Sequence, residues 1–220
     1  MRINYWQNFE ESHFYHIYNR TVGSEKLFIY DKNCDDFLQK WDKYLKPYLD
    51  TYAYCLMGNH FHFVVYVKLV DETVLKSIEN EHTVKANRFL NNEIDYNTFL
   101  VDQFKRFFSA YVHKFNKQQK RHGSLLQEKF KRVQLKTEVA VLEKICYVHH
   151  NPIHHGYHAV YENWNYSSYD AYLDDRLCSL EREKGLVLFG SSLDNRKPFI
   201  EYHQIYKENW RIWHHLENDI

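Results

Sequence analysis

The chain has 220 residues and a mass of 27.0 kDa, which suits one domain with appendages and a core that stands without staples. Lys and Arg together number 29, as do Asp and Glu, which excludes a protein-wide positive field for a polyanion, so any nucleic-acid footprint has to be local. Cys34, Cys55, Cys146 and Cys178 form no Cys-x-x-Cys pair, which argues against a zinc knuckle or a disulfide framework and reads as reduced, intracellular thiols.

The opening "MRINYWQNFEESHF" has no apolar signal core and no later run approaches transmembrane length, so the expected location is the cytoplasm, without membrane contact. "FYHIYNR" (14–20) reads as a first strand. After a turn region at "TVGSEK", Phe37, Leu38, Trp41 and Leu45 at helical spacing predict a helix over about 32–48. Strands over 51–57 and 60–68 flank "GN", a two-residue hairpin signal. The polar stretch 71–98 holds few periodic apolar positions and reads as a partly mobile helix-loop insertion. Phe104, Phe107, Phe108, Tyr111 and Phe115 recur at spacings of three and four and predict a helix over 100–118.

Gly123 breaks the chain and "FKRVQLK" (130–136) reads as the next strand. A last core helix begins near Thr137, buries Val139, Leu142, Ile145 and Cys146, and should end at Asn151, because a proline disfavours helix at the residue before it. The order β-α-β-β-α-β followed by a helix predicts an α+β, ferredoxin-like βαββαβ core, with one antiparallel sheet, helices on one of its faces and a further helix after the last strand. The core domain is expected over 1–175, and a helical C-terminal extension packed on the same domain over 176–220.

Within "YAYCLMGNHFHFVVYV" (52–67), strand alternation puts Phe61, Phe63, Val65 and Val67 on the core side and His60, His62, Val64 and Tyr66 on the other. The Cα atoms of His60 and His62 then lie roughly 6–7 Å apart, close enough for both rings to reach one ion. Two strand histidines alone are more often plain polar-face residues. Tyr147 and Asn151, four residues apart on a helix, share a face off the buried stripe and would present a hydroxyl and an amide oxygen together. A lone tyrosine among 19 is nearly always packing or surface, and what raises Tyr147 is its combination with the histidine pair. From Asp102 to Lys136, ten basic residues stand against two acidic ones with aromatics interleaved, a local footprint for a polyanion or a solvated helix face. His149, His150, His154, His155 and His158 match no standard zinc spacing and flank a helix end, so they read as phosphate contacts or surface.

"GNHFHFVV" matches the HUH motif (His, bulky hydrophobe, His), and "CYVHHNPIHHG" resembles the Tyr-x-x-x-Asn-Pro segment of the REP-associated tyrosine transposases, the single-tyrosine HUH family. Further matches are "YHIYNRTVGSEKLF", "KFNKQQKRHGSLLQEKFKR" and "NYSSYDAYL", the last with Tyr166 where tryptophan is usual. The likeness covers about residues 14–173. It implies a nuclease that cuts single-stranded DNA, often beside a hairpin, with Tyr147 as nucleophile, His60 and His62 as metal ligands and Asn151 as third ligand. Two imidazoles and an amide oxygen suit Mg²⁺ or Mn²⁺ more than zinc. Candidate DNA contacts are Arg20, Lys114, Lys117, Lys120, Arg121, Lys129, Lys131, Arg132 and Lys144, the last of which could instead favour a phenolate at Tyr147. A relaxase-like or replication-initiator nickase and a domesticated DNA-hairpin-binding protein are the alternatives. The loop after Asn151 and the C-terminal segment resemble the group that acts as monomers, so a monomer is favoured over a dimer.

Overall fold

Alternation along the strands organises the molecule. The computed structural model describes residues 4–174 and 178–214, with side chains to residue 211. Strands β1 (Phe14–Arg20), β2 (Leu49–Met57), β3 (His60–Val67) and β4 (Lys131–Leu135) form one sheet in the order β2-β3-β1-β4, every neighbouring pair antiparallel. Helix α1 (Asp31–Tyr44) joins β1 to β2. Helices α2 (Glu72–Glu79), α3 (Val84–Leu90) and α4 (Tyr96–Gln119) lie between β3 and β4, and α5 (Glu138–His154) follows β4. This is the ferredoxin-like α+β arrangement with two small helices inserted before α4. The insertion is the polar stretch that lacked an apolar period. Caps mark it instead: the side chains of Asp71, Thr83 and Asp95 accept from the amides of Val74, Ala86 and Thr98.

Phe61, Phe63, Val65 and Val67 join Tyr15 and Ile17 in one core beneath α1 and α4, where Trp41 stacks on Phe63 at 3.6 Å between ring centroids. The expectation of helices on one face only is corrected here. Val64 of β3, with Ala53, Cys55 and Met57 of β2, carries a second apolar face, and α5 covers it with Leu142, Ile145, Cys146 and Val148. A register shift between Thr51 and Ala53 puts Ala53, Cys55 and Met57 on that second face. The outer side of α5 is closed in turn by α6 (Tyr169–Leu173), α7 (Arg182–Leu188) and α8 (Lys197–His214), whose Tyr172, Leu186, Phe199 and Tyr206 belong to the same cluster. The domain boundary expected between residues 175 and 176 lies outside the described residues. Among the described residues no helix is long and apolar enough to cross a membrane.

Because α5 is enclosed on two sides, two of its histidines are removed from the surface, while His154 in its last turn is partly exposed and His155 at its cap is exposed. His149 is fully buried and His150 is 3% exposed, which removes both from the expected phosphate contacts. Val139, expected in the core, is exposed in the first turn instead. His149 belongs to a polar chain linking three elements. His203 Nδ1 donates to the Phe199 carbonyl at 2.8 Å, which leaves its Nε2 to accept from His149 Nδ1 at 2.8 Å. His149 Nε2 then accepts from Ser168 Oγ at 2.8 Å, and Ser168 Oγ accepts from the Tyr54 amide at 2.8 Å. The chain works only with both imidazoles neutral, and burial holds His203 down to about 3.

A depressed histidine pKa stabilises the fold fully above the unfolded value near 6.5, and that stability drains away as pH falls from there toward the folded value. Urea unfolding at pH 5 should therefore show about 2 kcal/mol less stability than at pH 7.5 from His203 alone. In His203→Leu the acid slope should shrink while stability at pH 7.5 also drops. An identical slope in the variant would place the acid sensitivity elsewhere.

Candidate functional site

His60 and His62 leave β3 toward the face that α5 covers, with Arg20 and Tyr18 of β1 opposite them in register. Neither reaches solvent freely: His60 is 6% exposed and His62 is fully buried. Asn59 Oδ1 lies 2.7 Å from His60 Nδ1, and an amide oxygen only accepts, so His60 carries its proton on Nδ1 and presents Nε2 as a lone pair. His62 Nδ1 lies 2.9 Å from His16 Nε2 in a buried hydrogen bond. With His62 as donor, its Nε2 is a lone pair too. The Nε2 atoms of His60 and His62 and the Oδ1 of Asn151 are all buried without a hydrogen-bond partner.

Electrostatics keep these rings neutral. Burial, then the charges of His155 and Arg20, hold His60 down to about 4. Burial, then His16 and His60, push His62 well below the ordinary histidine range. Among the described residues no group of three or more His, Cys, Asp or Glu side chains is placed to share a metal ion. A cation here would therefore rest on two imidazoles and an amide oxygen, and the three partnerless acceptors fit that role. With no thiolate and no carboxylate, the donor set suits a hard divalent ion that keeps open positions.

The other half of the site comes from α5, whose start is capped by Thr137. Tyr147 is half-buried, its ring edge-on to His62 at 5.5 Å and to His16 at 5.8 Å. One turn earlier Lys144 is buried rather than at the surface, its Nζ 4.5 Å from the centre of the Tyr147 ring. Asn151 Nδ2 donates to the Tyr147 carbonyl at 2.8 Å, which leaves the amide oxygen to face His60. The expected end of the helix at Asn151 is corrected: Pro152 lies within α5, which runs to His154. A proline so near the end forfeits a single N–H bond. The last turn still closes, with His155 N–H on the Asn151 carbonyl at 3.0 Å and Tyr157 N–H on the Pro152 carbonyl at 2.8 Å.

The candidate DNA contacts divide by face. Arg20 and Lys131 lie on the histidine face, and the charge of Arg20 is felt by both His60 and Lys131. Lys129 is exposed just before β4. Arg132 pairs in register with Ile17 and so turns to the opposite face, where it bonds the Gln7 carbonyl and lies over Phe9 and Phe130. Lys114, Lys117, Lys120 and Arg121 lie at the end of α4, across the sheet from the histidines. Of these, Lys114 pairs with Asp36 and Arg121 with Glu25. Sequence reasoning missed His16 and Asn59, the two partners of the histidine Nδ1 atoms. Strand parity already put His16 on the same face of β1 as Tyr18; what was lacking was the pairing of β1 with β3.

No family model matches the chain. In sequence it is similar to a Haemophilus influenzae protein provisionally named a REP-associated tyrosine transposase, 27% identical over 133 residues, which are 57% of this chain and 71% of that one. In fold it is similar to the solved structure of a REP-associated tyrosine transposase bound to a REP hairpin, with a TM-score of 0.54 at 10% identity, covering 78% of this chain and 86% of that one. The chain thus resembles this family in its motifs, in a relative's sequence and in fold.

Nitrogen-15 NMR of the imidazoles should find His60 as the Nδ1–H tautomer, with no titration between pH 5 and 8, since its pKa is held to about 4. A midpoint near 6.5 would mean that the ring is solvated and the pocket open.

Proposed function

We propose that this chain is a REP-associated tyrosine transposase of the HUH type, which cuts and rejoins single-stranded DNA beside a hairpin, using Tyr147 and a divalent ion, Mg²⁺ or Mn²⁺, held by His60, His62 and Asn151. One observation carries the reading: three buried acceptors that lack donors converge beside a tyrosine of the same chain. The motifs, the relative's name and the hairpin in the structural neighbour support it.

When bound, the ion would supply Lewis-acid polarisation of a scissile phosphate oxygen. His60 and His62 meet it as neutral imidazoles, so no proton has to be displaced first. Asn59 and His16 fix the ring orientations through Nδ1. Arg20 and Lys131 hold the entering phosphates. The Tyr147 oxygen attacks phosphorus, the bond to the 3′ oxygen breaks, and that oxygen takes up a proton as a 3′-hydroxyl. A 5′-phosphotyrosine remains, and the phosphodiester energy is conserved in it. Attack by a 3′-hydroxyl reverses the step and joins strands without ATP. Lys144 places positive charge against the phenol, where it counters the negative charge that grows as the proton leaves. Tyr147 lies against His62 of its own chain, which favours a site complete in one monomer.

Tyr147→Phe should form no covalent adduct with a single-stranded hairpin substrate on a denaturing gel, while still binding it. His60→Ala with His62→Ala, or chelation, should reduce cleavage to background, and added Mn²⁺ should restore only the chelated wild type. Mixing the tyrosine and histidine variants should remain inactive; recovered cleavage would mean that chains share sites. His16→Phe should weaken Mn²⁺ binding about 10- to 100-fold by calorimetry, and an unchanged affinity would reduce His16 to packing.

A further inference from the structure

The histidine face continues beyond the site as an unbroken row of side chains. Tyr18 stacks on His62 with centroids 5.5 Å apart and planes 20° from parallel. Lys131, opposite Tyr18 in register, places its Nζ 5.1 Å from the Tyr18 ring centre and 4.7 Å from that of Tyr5. Tyr5 belongs to the N-terminal segment, which lines the outer edge of β4: the Arg132 amide donates to the Tyr5 carbonyl at 2.7 Å, and Trp6 bridges Arg132 in parallel. Trp6 comes next, edge-on to Tyr5 at 6.4 Å and 49% exposed, with Lys129 Nζ 5.7 Å from its ring centre.

Two features separate this row from ordinary surface. First, Arg20 and Lys131 lie on the histidine face beside the site, with Lys129 just before β4, and among the described residues none of the three forms an ion pair; Lys117 and Lys120 are likewise unpaired but lie across the sheet, where Lys114 and Arg121 are held by carboxylates. Positive charge left uncompensated beside the site is complementary to a polyanion. Second, the aromatics divide the work. Lys131 lies against the rings of Tyr5 and Tyr18, and Tyr18 is buried, so those tyrosines hold an ammonium in place. Trp6 alone combines a large exposed ring with a neighbouring exposed cation.

We propose that this row is the track of the single DNA strand adjoining the cut: Lys131 anchors a phosphate near the site, Trp6 stacks an unpaired base at the β4 edge, and Lys129 takes a following phosphate. An indole face fits an unpaired base, because a duplex hides its base faces in its own stack. The inference rests on the transposase reading above and adds where the unpaired flank runs.

The test uses a hairpin with a single-stranded flank and the same hairpin without one, titrated in chelator so that nothing is cut. Trp6→Ala should bind the flanked hairpin about 5- to 100-fold more weakly, and the deficit should vanish on the blunt one. Trp6→Phe should keep most of the affinity while losing part of the fluorescence quenching that the flank causes in the wild type. Lys129→Ala, a change at an exposed side chain, should reduce the log–log salt slope by about 0.7. Wild-type affinity and slope in Trp6→Ala and Lys129→Ala would overturn the track; if the wild type still formed its Tyr147 adduct, the transposase reading would stand. A wild type that neither bound the flanked hairpin nor formed an adduct would overturn both.

Discussion

The packing of α5 across the second face of the sheet is the constraint on which the rest depends. Val141, Leu142, Ile145, Cys146 and Val148 are each less than 9% exposed, and burial of side chains of this kind contributes about 1.5–3 kcal/mol each for the larger ones. That contact sets the height of the helix over β3, and so brings Tyr147 against His62 and Asn151 against His60. The C-terminal helices secure it from outside. Through the run from Tyr54 to Ser168, His149 and His203, strand, helix and extension share one polar chain in addition to their apolar contact. The extension therefore acts on the site by holding α5 in place.

Enclosure has an electrostatic consequence. A solvated histidine pair would be half-protonated near pH 6.5 and would compete poorly for a cation. Burial removes that competition, at the expense of three buried polar atoms with no hydrogen-bond partner, each costing about 1–3 kcal/mol. The site is thus destabilised as a protein interior, and a cation, as proposed, would satisfy all three acceptors at once. Strain of this kind concentrates where function does. The nearby positive groups have a second effect: Arg20 disfavours protonation of His60 and, with Lys131, puts positive charge on the same face as the buried acceptors, an arrangement that suits the proposed reaction at a phosphate.

Several features were legible in the sequence because they depend on near neighbours alone. Strand parity put His60 and His62 together and away from Phe61 and Phe63, and helical spacing put Tyr147 and Asn151 on one face. "GN" marked the β2–β3 hairpin, and the order of elements specified the ferredoxin-like sheet. The capped helices of 71–98 were also legible in principle, since Asp71, Thr83 and Asp95 are cap residues, although the missing apolar period hid them.

What the sequence could not decide is which surfaces would meet. His16 became the partner of His62 only when β1 paired with β3 in one register, and Arg132 parted from Lys131 only when β4 paired with β1. His149 and His150 of α5 left the surface because a second layer of helices closed over them, and Lys114 and Arg121 were engaged by carboxylates 78 and 96 residues away. Parity and helical period act over a few residues and are written in any short stretch of chain. Burial, hydrogen-bond partnership and the pKa values that follow from them are properties of pairs distant in sequence, and only the packed fold brings those pairs together.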